Sequence, residues 1–293
     1  MRQTDIVWPQ GWVCSSCGYA VPVSDGVPMF APELANAQIY YDPTHFAVLA
    51  AVEREHFWFM ARNRLIVGLI ARYFPTATSF LEIGCGIGTV LSAIADSRPW
   101  RRLTASELHS AGLSEARRRL GERATFVQLD ARSIPAREVF DVVGAFDVIE
   151  HIAEDEEVLT AMSEAARRGG GVILAVPQHP FLWSDFDEKA HHVRRYRRGE
   201  LEQKTEKAGM RVVFSGSYAA LLFPLMAASR ILRGRAKANR KVLEQKDTVP
   251  VELRLPRMLN AFARCLLEME VSATLAGARF PFGGSRIVVA IKG

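Results

Sequence analysis

The chain has 293 residues and a mass of 32.6 kDa, long enough to bury about three quarters of its unfolded surface without a disulfide or a metal. Hydrophobic residues make up 49% and charged residues 24%, which excludes a disordered chain, a collagen-like repeat and a polytopic membrane protein. The net charge is +5, with cations gathered at Arg98–Arg102, Arg117–Arg119, Arg194–Arg198 and Arg230–Lys241. Such runs read as solvated helix faces or as a surface for an anionic partner. No nucleic-acid module accompanies them, so nucleic acid is not expected as a partner.

Four cysteines do not make a disulfide framework, and Cys14 and Cys17 are the only close pair. A reducing cytosol is the predicted compartment. The first twelve residues hold Asp5 and no apolar core, so no signal peptide is expected.

Residues 1–36 are rich in Pro, Gly and Val and predict a small hairpin or ribbon turning at Asp25-Gly26. Over Gln38–Phe74 apolar residues return at helical spacing (Phe57, Ala61, Leu65, Leu69), and Pro75 ends the helical stretch. The middle then alternates. Strands are predicted at Ser79–Ile83, Arg102–Ser106, Thr125–Leu129, Phe140–Ala145, Val172–Val176 and Arg211–Ser215. Helices are predicted at Gly88–Ala95, Ser110–Leu120, Glu154–Arg168 (closed by Gly169-Gly170-Gly171) and Glu200–Ala208, with Gly209 as C-cap. This rhythm implies a parallel sheet with right-handed crossovers. Residues 216–284 break it with an apolar and basic helical insertion, and strand composition returns at Arg286–Ile291 as a final edge strand.

The predicted fold is therefore α/β: a Rossmann-like, seven-stranded, mostly parallel sheet with helices on both faces. A small N-terminal ribbon (1–36) and a helical cap (37–78) precede the core (79–215). The insertion (216–284) and the last strand (285–293) follow it.

Glu82-Ile-Gly84-Cys85-Gly86-Ile-Gly88 lies where the first core strand turns into its helix. Three alternate glycines let the backbone pass close to a ligand. Thr89 stands where the dinucleotide fingerprint needs Gly or Ala, and no Gly-Lys-Ser/Thr ending is present for a P-loop. The segment resembles motif I of class I S-adenosylmethionine-dependent methyltransferases, and the likeness extends over residues 79–215. The resemblance implies S-adenosylmethionine as cofactor and further stations at successive strand ends. Glu107, followed by Leu108, would take the ribose hydroxyls. Asp130 and the Ala131 amide would meet the adenine. Phe146 would lie at the methyl donor, and Glu82 would hold the glycine loop or a backbone donor near the methionine amine. Phe57, Trp58 and Arg62, on the helix before the core, would close over the cofactor.

After the fifth core strand come His179 and then His192-Val-Arg-Arg-Tyr196. This stretch resembles one found in methyltransferases near lipid-linked or quinone-type substrates, and the wider motif set resembles ubiquinone-pathway O-methyltransferases. His179, His192 and Tyr196 are the catalytic candidates; the competing reading is that they only order the loop. Asp147, Glu150 and His151 can be read as metal ligands or as N-terminal helix electrostatics. The latter is preferred and no metal is predicted. Cys14-Ser-Ser-Cys17 resembles half of a zinc ribbon, but structural zinc wants four ligands and a degenerate, metal-free hairpin is expected. Tyr218–Ser229 followed by Arg230, Arg233, Arg235 and Lys237 has the profile of an interfacial helix, a substrate lid or a dimer contact. The expected activity is methyl transfer to a small or lipid-like acceptor, at oxygen, by a cytoplasmic enzyme with peripheral contact at the inner face of the membrane. The rivals are a protein or nucleic-acid methyltransferase and a non-catalytic cofactor-binding module.

Overall fold

The structure is a computed structural model that describes residues 6–36, 53, 55–229 and 256–293. The first part of the predicted cap and the basic run after Ser229 lie outside the described residues.

Near the N-terminus, β1 (Val23–Ser24) and β2 (Val27–Pro28) pair antiparallel about Asp25-Gly26, both left-handed at φ +50° and +77°. Helix α1 (Phe57–Tyr73) leads into the core. The core runs β3 (Ser79–Ile83), α2 (Thr89–Ser97), β4 (Arg102–Glu107), α3 (Ser110–Leu120), β5 (Thr125–Gln128), β6 (Phe140–Phe146), α4 (Asp155–Ala165), β7 (Ala166–Pro177), α5 (Asp185–Lys189), α6 (Glu200–Lys207) and β8 (Met210–Tyr218). Residues 223–229 are helical, and α7 (Arg257–Leu275) and β9 (Ser285–Lys292) close the chain.

Seven strands form one sheet in the order β5-β4-β3-β6-β7-β9-β8, with β9 antiparallel to both neighbours and the other pairings parallel. The chain winds outward from β3 to β5, then returns to wind the other way from β6. The carboxyl ends of β3 and β6 therefore flank the switch in strand order, where open α/β sheets bind ligands.

Side chains alternate across the sheet. Phe80, Val142, Ile173 and Val289 face the core formed with α1, α2, α3 and α7; Leu81, Val143, Leu174 and Val288 face the core formed with α4, α6 and Trp8. All eight are buried, which is why these strands read as continuous apolar runs. Helix α1 buries Ala61, Leu65, Ile66, Leu69 and Ile70, its leucines and isoleucines each stabilising by roughly 2 kcal/mol.

Three expectations change. The helix predicted to run through Arg168 ends at Ala165, and the glycine triplet lies inside β7. A Cβ on Gly170 would stand 2.4 Å from the Asp141 carbonyl oxygen and one on Gly171 2.0 Å from that of Ala290, so these two glycines serve close strand approach and not a helix cap. The sixth core strand continues to the buried Tyr218, three residues into the predicted insertion. The last strand is not at the edge: β9 inserts between β7 and β8.

The N-terminal ribbon packs onto the core. Met29 bridges Gln128 of β5; Gln128 Oε1 accepts from the Ala31 N–H at 2.9 Å, and its Nε2 donates to the Ala31 carbonyl at 2.6 Å. Trp8 Nε1 donates to the Pro135 carbonyl at 3.0 Å.

Candidate functional site

Between the end of β3 and the start of α2 the backbone turns through Gly84, Gly86 and Gly88 at φ +64°, +52° and +77°. Side chains rarely adopt this region, and a Cβ on Gly84 would also stand 2.6 Å from Val148 Cγ2. The Gly86 N–H donates to Glu107 Oε2 at 2.9 Å, while Glu107 Oε1 accepts from the Leu108 and His109 N–H groups at 2.8 and 3.1 Å. The acid ending β4 thus staples the glycine loop to the next strand. Cys85 is buried in the loop, its thiol pushed well above the usual range by burial.

Glu82 is 2% exposed, its Oε2 has no hydrogen-bond partner, and burial raises its pKa well above the carboxylate range. Asp130 lies just beyond β5 and is held by Arg132, whose Nε and terminal nitrogen donate at 2.6–3.1 Å. Ala131 and Phe146 are buried beside it and at the end of β6. These stations gather along the carboxyl edge of β3, β4, β5 and β6.

Helix α1 brings Arg62 to the same edge. Its guanidinium lies 4.5 Å from the Trp58 ring centroid and pairs with Asp147, just beyond β6. Phe57 and Trp58 are half-buried against the core, and Tyr218 donates from its hydroxyl to the Trp58 carbonyl at 3.0 Å. Two side chains not anticipated join them. Glu53 accepts from the Thr89 hydroxyl at the start of α2, and Arg119 donates to that hydroxyl. Of the arginine triplet on α3 only Arg119 turns inward, which helical phase alone could have suggested.

The carboxyl ends of β6 and β7 carry Asp147 at φ +56° and His179 at φ +65°. Left-handed backbone at non-glycine residues is uncommon and costs conformational energy. His179 is buried, its Nε2 has no hydrogen-bond partner, and burial followed by Arg195, Arg286 and Arg198 lowers its pKa below 6.5. Aromatic rings surround it: Phe181 at 5.2 Å, Phe223 at 5.3 Å and Phe282 at 6.2 Å between centroids. Phe181 and Phe282 are exposed, so the cluster opens to solvent.

The other two catalytic candidates are placed differently. His192 sits in a polar nest, Nδ1 2.9 Å from Asp187 Oδ1 and Nε2 3.9 Å from Glu150 Oε1. Asp187 is fully buried; burial opposes its charge, yet His192 and Arg195 hold its pKa down to about 2. Tyr196 does not reach the site. It is fully buried in the opposite core, bridged to Gln178, and donates from its hydroxyl to Asp155 at 2.7 Å. Burial and that bond push its pKa far up, so it cannot serve as a proton carrier near neutral pH. Cys14 and Cys17 are free thiols, and among the described residues no group of three metal-ligating side chains includes them.

Residues 81–172 match the profile of a family described as "Methyltransferase domain". No curated protein matches the chain at the level of sequence. Among solved structures, the complex of the Haloferax volcanii Trm112 methyltransferase activator with a methyltransferase aligns at 17% identity and a TM-score of 0.55, over 84% of this chain and 93% of that one. Phosphoethanolamine N-methyltransferase 2 of Haemonchus contortus, with S-adenosyl-L-methionine bound, aligns at 18% identity and a TM-score of 0.51, over 79% of this chain and 52% of that one. The [4+2]-cyclase SpnF aligns at 19% identity and a TM-score of 0.50, over 80% and 82%. Identities this low establish the shared fold and leave the reaction to the site. The match over residues 81–172 supports S-adenosylmethionine-dependent methyl transfer, with S-adenosylmethionine as the cofactor.

Proposed function

We propose that the protein transfers a methyl group from S-adenosylmethionine to an oxygen of a small, apolar acceptor, with His179 as the general base. The observation that carries this reading is His179, its pKa lowered and its Nε2 without a hydrogen-bond partner, set among Phe181, Phe223 and Phe282 at the end of β7.

The fold fits the cofactor by chemistry already described: a left-handed glycine loop that a Cβ would fill, and a buried acid beneath it with an unpaired oxygen. Gly84, Gly86 and Gly88 would admit it, Glu107 and Asp130 would recognise its hydroxyl-bearing and aromatic parts, and Arg62 would offset the charge of its carboxylate. When bound, the sulfonium supplies an already activated methyl group. The protein's own task is to position the acceptor and take a proton. A neutral imidazole can accept that proton. Burial disfavours the charged form of His179 most, and the three arginines that add to this effect also disfavour a cationic amine acceptor and favour a hydroxyl that becomes anionic.

Exposed apolar side chains on the neighbouring helix support a lipid-like acceptor. Met258, Leu259, Phe262 and Met269 of α7 are at least 45% exposed, as are Leu221 and Leu225. Among the described residues no helix is long and apolar enough to cross a membrane; the contact proposed here is peripheral, at the cytoplasmic face. The deciding experiment is methyl transfer from labelled cofactor to apolar phenols and to amines of matched size. Transfer to phenols, reduced about 10²- to 10⁴-fold in His179→Ala, is expected. Transfer to the amines alone overturns the oxygen assignment.

A further inference from the structure

The geometry points to a divalent transition-metal site formed by Glu150, His151 and His192. The proposal stands apart from the identity of the acceptor and concerns a cluster that sequence reading left divided between a helix start and a loop.

The three side chains come from two segments. Residues 149–151 form a short 3-10 turn after β6, and His192 follows α5. The Val193 N–H donates to the Glu150 carbonyl at 2.8 Å and fixes the second segment against the first. One ligand atom from each side chain lies within 4.8 Å of the others, and the two imidazoles meet edge to face with centroids 4.7 Å apart. Ligands sharing one ion at about 2.1 Å stand about 3.0–3.4 Å apart, so closing on an ion needs a shift of about 1 Å. Rotation of the His151 imidazole and of the Glu150 carboxylate, whose oxygens have no hydrogen-bond partner, supplies a movement of that size.

A second, independent observation is the state of Glu150. It is fully buried, and neither carboxylate oxygen has a hydrogen-bond partner. Burying such a group is costly unless it is protonated or meets a cation. The two arginines whose charge acts on it are committed elsewhere. Arg195 is bound to Asp187 and to the Gln178 carbonyl, and Arg62 is bound to Asp147. Asp147, a ligand candidate on sequence grounds, is excluded from the set by that same ion pair.

The support around His192 is the arrangement that metal-binding histidines use. Asp187 Oδ1 lies 2.9 Å from Nδ1, which fixes the ring and leaves Nε2 directed at Glu150. Asp187 is itself locked by the Ser184 N–H and hydroxyl at 2.9 and 3.0 Å. Two imidazoles and one carboxylate with open positions suit zinc, iron(II), manganese or cobalt, and a site beside Asp147 at the switch in strand order could hold an oxygen ligand.

The test uses the full chain with Cys14→Ser and Cys17→Ser, which removes the exposed thiol pair, stripped of metal and titrated with Co²⁺ followed by visible absorption and calorimetry. One Co²⁺ per chain with d–d bands free of thiolate charge transfer is expected. Glu150→Gln and His192→Ala should each weaken it by at least about tenfold, with unchanged circular dichroism. Should either variant fail to fold, His151→Asn on the half-buried side of the site is the third arm, with the same expected loss. Absence of Co²⁺ binding, or binding indifferent to all folded variants, overturns the site and leaves Glu150 as a buried neutral acid.

Discussion

Arg62 and Asp147 meet at the carboxyl edge of the sheet, one carried in by helix α1 and the other by the left-handed end of β6. The same guanidinium also lowers the pKa of Glu53, Glu82 and Glu150, so one cation serves four acids. It is 5% exposed and screened little by solvent.

This sharing predicts a pH-dependent cost for Arg62→Gln. Burial raises Glu53, Glu82 and Glu150, so their contribution to stability is present below their unfolded pKa and lost as pH rises through the folded one. Without Arg62 the folded values move higher still. The destabilisation of Arg62→Gln should therefore grow from pH 5 to pH 8, reaching about 3 kcal/mol for an uncompensated buried charge. Urea unfolding at the two pH values measures it. A cost independent of pH would show that Arg62 acts by packing on Trp58 alone.

Glu107 should matter twice, once for the loop it staples and once for the cofactor. Glu107→Ala frees the Gly86 N–H and is expected to weaken S-adenosylmethionine binding by about 1–3 kcal/mol, as is Asp130→Ala. Calorimetry on the two variants checks this. Unchanged affinity in both would remove the acids from the proposed cofactor site.

How far the sequence was legible follows from the range of the interactions involved. Phe80-Leu81 and Val142-Val143 announce buried strands because neighbours alternate across one sheet, a signal complete within five residues. The turn at Gly84–Gly88 is equally local. Gly169–Gly171 misled because a glycine run reads alike as a helix stop and as a place where strands close up; only Ala290, far along the chain, decides. Tyr196 misled for a similar reason. Its neighbour His192 faces the carboxyl edge, but Asp155, 41 residues earlier, draws the phenol into the opposite core. Glu53, Thr89 and Arg119 come from three segments, and no spacing rule joins them.

His179 yields a second pH prediction. Burial and the surrounding arginines disfavour its imidazolium, so the neutral base persists to lower pH than an ordinary histidine allows. The rate should hold at neutral pH and fall only as pH drops below 6.5, and His179→Gln should flatten that limb. A limb with its midpoint at or above 6.5 in the parent would refute His179 as the base.

The last prediction concerns the exposed face of α7. Met258, Phe262, Cys265 and Met269 recur at four- and three-residue spacing along one exposed stripe. Arg257 and Arg264 lie on the exposed part of the same helix, and the sequence between residues 229 and 256 adds Arg230, Arg233, Arg235, Lys237, Arg240 and Lys241. A second copy set against this face would bring Arg257 and Arg264 of two helices together, whereas an anionic bilayer satisfies both the apolar stripe and the charge. Each cation near such a surface contributes about 1 kcal/mol, lost when salt shortens the Debye length. The protein is therefore expected to sediment with phosphatidylserine-containing vesicles at low ionic strength and to be released by about 0.5 M salt, where screening acts within ~4 Å. Phe262→Ser and charge reversal at Arg233 and Arg235 should each reduce attachment while S-adenosylmethionine binding stays unchanged. If the vesicles leave the protein in solution at low salt and ultracentrifugation finds a dimer abolished by Phe262→Ser, the stripe is an interface between two copies, and the lipid-like acceptor loses its principal support.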